Sequence, residues 1–281
     1  MITKNIPDFD PRKIADSGQC FRMNRLKEGT YSVVALGKYL EIADLGGGCF
    51  TFSCSEEDFK DIWTDYFDLS SDYTALRTMI PPADPFLLSA VDYGWGMRIL
   101  NQDPWEVTVS FIISQRKNIP AIKTAIETIC FNYGTKMEAG GITYYSFPSP
   151  ERLAELECSH LSCCSLGYRD KYIISTAQSI AGGQLQLADL RHADEDTART
   201  ALKSLYGIGE KVANCILLFG LHHTNAFPED VWIKRIIDTE YAGSFPKSLY
   251  EGYLGIVQQF IFYYARSCEY QSSGHDVDRI P

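Results

Sequence analysis

Apolar and polar positions follow two different periods along this chain, and the change of period divides it. In the first stretch the apolar runs are short: 20–25, 30–36, 39–45 and 48–54, rich in Tyr, Val, Leu, Ile and Phe. Gly29, Gly37-Lys38 and Gly46-Gly47-Gly48 separate them. Short runs of β-formers parted by glycine turns predict an antiparallel meander. Residues 1–18 show no such pattern and read as irregular. Ser55-Glu56-Glu57-Asp58 resembles a capping box that starts a helix through about Tyr66. Pro81-Pro82 marks a break, and the domain boundary is expected there.

From about Asp84 the apolar spacing turns helical, and no further strand is expected. Pro104 opens a helix to Gln115, and Pro120 opens another to about Tyr133. Residues 134–150 read as a loop. Pro150 starts a short helix, and Tyr168 to Ile180 forms the next, ended by Gly182-Gly183. Asp194 is a fitting N-cap for a helix to Leu205. Residues 247–266 read as one long helix with a core stripe of Tyr250, Tyr253, Leu254, Val257, Phe260, Ile261 and Tyr264. The expected class is α+β: a small antiparallel sheet domain over 1–82, then helical domains over 83–281.

Within the helical part, Leu205 to Arg235 gathers the chemistry. Gly207-Ile208-Gly209 makes a tight hairpin between two helices, at about 196–222. Its glycines permit positive φ and leave no side chain between backbone and ligand. A glycine turn that opens a helix presents free N–H groups and the positive end of the dipole, which suits a phosphate. Lys211 stands at that helix start, and Asp230 follows Pro228-Glu229 where another helix begins. A lysine is nucleophilic as the neutral amine, which desolvation and a nearby helix N-terminus both favour. On residues alone, Lys211 also fits a solvated helix-start lysine and Asp230 an ordinary N-cap.

Composition changes this picture in two places. A net charge of −10 and a pI near 5.0 speak against a general nucleic-acid binder, so any DNA-binding patch must be local. Arg116, Lys117, Lys123, Arg169, Lys171, Lys234 and Arg235 are its candidates. Nine cysteines, no signal peptide and no membrane-length apolar run favour a reducing cytoplasm with free thiols. Only Cys268 lies near the C-terminus, which leaves no four-cysteine cluster there. His222-His223 follows a helix end and reads as a cap rather than a metal site.

The run LYGIGEKVANCILLFG followed by PEDVW resembles the helix–hairpin–helix DNA glycosylases, and among them most the 8-oxoguanine DNA glycosylases. The likeness extends to Gly18-Gln19-Cys20-Phe21-Arg22, to Arg98 through Glu106, to Leu166-Gly167-Tyr168-Arg169 and to Gly255-Ile256-Val257-Gln258. The resemblance implies a prokaryotic bifunctional DNA glycosylase and abasic-site lyase acting on duplex DNA that contains 8-oxoguanine. It would use no cofactor and no metal, act as a monomer, and work in the cytoplasm at the nucleoid without a membrane partner. Lys211 would be the Schiff-base nucleophile, and Asp230 would balance charge on the sugar.

The resemblance also assigns a base pocket. Cys215 and Phe262 would hold the two faces of the flipped base, Gln258 would read its Watson–Crick edge, and the Gly18 carbonyl would accept its N7–H. By spacing alone Cys215 is a buried small residue, Gln258 a surface amide and Phe262 a core ring. Tyr168 would be the wedge and Arg169 a reader of the estranged cytosine. Arg116, Asn118, Gly207, Gly209, Val212 and Trp232 would face DNA. Three positions depart from the animal members: Arg116 stands for asparagine, Ala121 for a cytosine-reading arginine and Trp232 for histidine. A same-fold glycosylase for another damaged purine and a non-catalytic hairpin module are the rival readings. Lys211 with Asp230 argues against the second.

Overall fold

The structure, a computed structural model, describes residues 1–267. Five antiparallel strands form the N-terminal sheet: β1 (Ile2–Asn5), β2 (Met23–Lys27), β3 (Thr30–Ala35), β4 (Lys38–Gly46) and β5 (Cys49–Phe52). Their spatial order is β1-β5-β4-β3-β2, the expected meander with one strand added at its edge. Val33 pairs Leu40, and Ile42 pairs both Tyr31 and Phe52, so alternate apolar residues share the inner face. The β3–β4 turn is Leu36-Gly37, both at positive φ, and Lys38 already belongs to the strand.

Three expectations give way. Residues 1–18 are ordered: besides β1 they form a helix, Pro11–Asp16, whose N-cap Asp10 accepts from the Arg12 and Lys13 amides at 3.0 and 3.1 Å. The expected loop 134–150 contains a hairpin of β6 (Lys136–Ala139) and β7 (Ile142–Tyr145) around Gly140-Gly141. Its strands are largely exposed, so they carry no apolar alternation to read. The last helix is not continuous. A single turn at Lys247–Tyr250 is cut from the helix Leu254–Ala265 by Gly252, at φ +85°.

The helices otherwise follow the spacing, including Pro104–Ser114, Ile119–Tyr133, Arg169–Ala181 and Glu195–Lys203. Asp194 caps the last of these through the Thr197 amide. His222, at φ +59°, ends the helix Glu210–Phe219, and the His223 amide bonds the Leu217 carbonyl. Sheet and helices share one core that runs from Phe9 to Ala265. Buried Gln19 ties the first segment to the helices: its Nε2 donates to the Arg98 carbonyl and its Oε1 accepts from the Leu100 amide. Gln259 Nε2 donates to the Ser17 carbonyl at 2.8 Å, which fixes Gly18 against the C-terminal helix. No helix among the described residues is long and apolar enough to cross a membrane.

The helix Pro85–Gly94 lies against the C-terminal helix so closely that a Cβ on Gly94 would stand 2.5 Å from the Phe260 ring. Phe260 is buried and cannot swing away. Gly94→Ala is therefore expected to destabilise the fold by about 1–3 kcal/mol through overpacking. Urea unfolding checks this, and an unchanged midpoint would show that the two helices can part freely.

Candidate active site

The hairpin forms because its two glycines do different things. Gly207 has φ +87°, and the Tyr172 ring fills the space where a Cβ would be, 2.2 Å from that position. Gly209 is extended, with nothing within 4 Å of its missing side chain. One glycine admits a protein ring, and the other leaves the backbone open. Gly209 also N-caps Glu210–Phe219 with no side chain closing the first turn, so those amides keep their anion-binding potential.

Gln115 pins the hairpin in place. Its Nε2 donates to the Gly207 carbonyl at 3.1 Å. Arg169 holds Gln115 in turn, with Nε on its carbonyl at 2.8 Å and Nη2 on the same oxygen. Arg169 Nη1 donates to the Leu166 carbonyl at 2.8 Å. The guanidinium expected to read an estranged cytosine is therefore committed to backbone carbonyls of the protein. It is buried, while neighbouring Tyr168 is 47% exposed. Sequence could not show this, because the acceptors lie on a distant loop and on the residue run preceding the helix.

One cavity, of about 630 Å³, gathers half of the expected site. Lys211, Asp230, Gly18 and Phe262 line it. Arg116, Asn118 and Trp232 line it as well. Lys211 lies over the Phe111 ring, 5.3 Å from its centroid. Asp230 caps the helix Val231–Glu240 through Oδ1, which accepts from the Trp232 and Ile233 amides at 3.0 and 2.9 Å. Burial pushes its carboxyl pKa up, while those amides, Lys211 and Arg266 pull it back. Lys117 and Lys234 join Arg116 at the cavity, so a local basic rim does exist on an acidic chain.

Other expected residues stand apart from the cavity wall. Cys215 is buried, and burial raises its thiol pKa against the pull of Lys211 beside it. Gln258 is buried rather than a surface amide; Nε2 donates to the Pro228 carbonyl at 3.1 Å, and Oε1 has no partner. Asn118, by contrast, is on the cavity wall, but its side chain is occupied as the N-cap of Ile119–Tyr133, accepting from the Ala121 amide at 2.9 Å. Val212 is buried, which leaves its backbone as the part that can meet DNA. Cys268 lies outside the described residues. Sequence reasoning missed Phe111 and Arg266. Arg266 continues the spacing of four from Gln258 and Phe262, a signal that was available.

Residues 1–108 match the family described as 8-oxoguanine DNA glycosylase, N-terminal domain, and residues 109–244 match the HhH-GPD superfamily of base excision DNA repair proteins. A probable N-glycosylase/DNA lyase of Methanothermobacter thermautotrophicus is 31% identical over 229 residues, 71% of each chain. An N-glycosylase/DNA lyase of Saccharomyces cerevisiae is 35% identical over 158 residues, 52% of this chain but 42% of the yeast protein. The chain thus spans less than half of that relative. The Clostridium acetobutylicum 8-oxoguanine glycosylase/lyase, solved with double-stranded DNA containing cytosine opposite 8-oxoguanine, superposes with TM-score 0.86. It is 34% identical, over 95% of this chain and 98% of that one.

Asp230 yields a stability prediction with a definite sign. A carboxyl whose folded pKa exceeds its unfolded value, about 3.9, contributes stability below that value and loses it as pH rises through the folded one. At neutral pH the ionised Asp230 is therefore a cost. Asp230→Asn keeps a capping oxygen and removes the charge. It should melt higher than wild type at pH 7, with the gap closing as pH falls towards the unfolded value. A melting gap that widens in acid would refute the assignment of burial as the dominant influence.

Proposed function

The chain belongs to the N-glycosylase/DNA lyase family of helix–hairpin–helix base-excision repair proteins, and we propose that it excises 8-oxoguanine from duplex DNA and then cleaves the abasic strand. One observation carries the reading: Lys211, Asp230, Gly18 and Phe262, distant in sequence, line a single cavity beside an open-backbone hairpin. A flipped purine fits such a site, since the target atom C1′ cannot be reached inside the stack. Phe262 offers a stacking face, and the orphaned Gln258 Oε1 offers an acceptor for a purine donor. The lesion stands above other damaged purines because the Gly18 carbonyl suits an N7–H, which guanine lacks.

The reaction follows from the placement. The lone pair of neutral Lys211 Nζ bonds to C1′ while the C1′–N9 pair leaves with the base. The Asp230 carboxylate offsets positive charge on the sugar, which its buried position strengthens. Ring opening gives a Schiff base, and loss of a 2′ proton expels the 3′ phosphate. The proposed setting is a monomer on chromosomal DNA in the cytoplasm, needing no cofactor. Hairpin amides and the rim of Arg116, Lys117 and Lys234 would hold the backbone.

Lys211→Gln should bind lesion duplex yet give no borohydride-trapped adduct and no strand cleavage. A trapped adduct in that variant would remove Lys211 as the nucleophile.

Handling of the opposite base should differ from the animal pattern. The Ala121 side chain cannot donate, and Arg169 is committed to the Gln115 and Leu166 carbonyls. Arg116 is exposed on a left-handed turn, at φ +52°. We expect a weak preference for cytosine, measured as single-turnover excision of 8-oxoguanine opposite C, T, G and A. Ala121→Arg should widen the spread towards cytosine, by up to the discrimination of one bidentate contact, about 1–3 kcal/mol. Strict cytosine dependence in wild type, unchanged by Ala121→Arg, contradicts this.

A further inference from the structure

The cavity holds a charged group that the reaction above has not used. Arg266 follows the helix Leu254–Ala265 by one residue, on the face of Gln258 and Phe262. Its guanidinium lies over the Phe262 ring, 5.0 Å from the centroid, and lines the same cavity as Lys211 and Asp230. Nη1 is buried and has no hydrogen-bond partner among the described residues. It stands 3.8 Å from where a Cβ on Gly18 would be, beside the backbone expected to meet N7–H. A buried cationic donor without an acceptor is costly, so its retention at a cavity edge points to a ligand acceptor. Burial lowers the arginine pKa, and Asp230, Asp16 and Tyr263 oppose that shift.

The chemistry of the base supplies such an acceptor. In 8-oxoguanine the N7–H and the C8 oxygen are adjacent on the five-membered ring. A base whose N7–H meets the Gly18 carbonyl therefore turns O8 towards the neighbourhood of Arg266. When C1′–N9 breaks, the electron pair stays on the purine and spreads from N9 through C8 to O8. We propose that Arg266 donates Nη1–H to O8 of the departing base and carries its negative charge, as Asp230 carries the positive charge of the sugar. The proposal rests on the base-excision reading. The balance closes within the site: Lys211 Nζ supplies the pair that replaces N9 at C1′, and the proton shed by the new amine neutralises the purine. Arg266 changes neither bond count nor protonation; it acts on where charge accumulates.

The contact also separates lesion from normal base, because guanine has a C8 hydrogen in place of the oxygen. The test uses the full chain with Arg266→Gln and Arg266→Lys. Single-turnover excision from an 8-oxoguanine duplex is measured beside cleavage of a preformed abasic duplex, which contains no O8. The ratio of the two rates should fall about tenfold or more in Arg266→Gln, the loss expected of one charge-assisted hydrogen bond. Arg266→Lys, which keeps the cation, should fall less. Thermal midpoints taken alongside report on the helix end. An unchanged ratio, whether both rates hold or both drop together, overturns the proposal and makes Arg266 a structural arginine. Wild-type protein that leaves 8-oxoguanine in place overturns the parent reading and this proposal with it.

Discussion

Gln115 is held from one side by Arg169 and holds the hairpin from the other, and the approach to Lys211 depends on that tie. The Gly207 carbonyl it grips is four residues from Lys211. The arginine behind it fixes the segment that bears Tyr168, and the same turn sets Arg116 at the cavity. A bond from a charged donor to a buried carbonyl is among the stronger single contacts a fold can make. Here it joins three elements that share no secondary structure. Tyr172 adds steric closure, since its ring occupies the space a side chain at 207 would need. The hairpin, the segment before Tyr168 and the turn at Arg116 are thereby tied to one another.

Stability and polarity pull against each other around the C-terminal helix. Gln258 Oε1 and Arg266 Nη1 are both buried without partners, an acceptor and a donor on one face of the C-terminal helix. Leaving such groups unpaired costs about 1–3 kcal/mol each. Burial at Asp230 disfavours its charged form. A fold selected for stability alone would fill these positions with apolar side chains. Arg266 lines the cavity, so a ligand there can complete its hydrogen bonding, while Gln258 is not part of the cavity wall.

The sequence made the meander, most helices, the hairpin and the pair Lys211 and Asp230 legible, because each rests on local signals. Glycine turns set β3–β4, prolines opened helices, and Asp194 announced its cap. The β6–β7 hairpin was hidden because it packs little, and the break at Gly252 because an apolar stripe continued across it. The inward turn of Arg169, expected to reach a base, was hidden for a different reason. Whether an arginine is buried depends on which carbonyls tertiary packing brings to it, and both acceptors lie outside its own helix. Gln258 shows the converse: a polar residue off the apolar stripe lay inside, because Pro228 supplied one partner.

An acidic protein that binds an anionic polymer must arrange its charge locally. Net charge of −10 repels DNA at long range, but salt screens that repulsion beyond roughly 8–10 Å. Within that distance the duplex would meet Arg116, Lys117 and Lys234 around the cavity and open amides at Gly209. Several other basic residues are withdrawn from solvent-facing duty: Lys123 donates to the Met23 carbonyl at 2.8 Å, and Arg22 pairs Glu127 at 2.9 Å. Arg116, Lys117 and Lys234 therefore stand within that distance of any anion that enters the cavity, whatever the sign of the net charge.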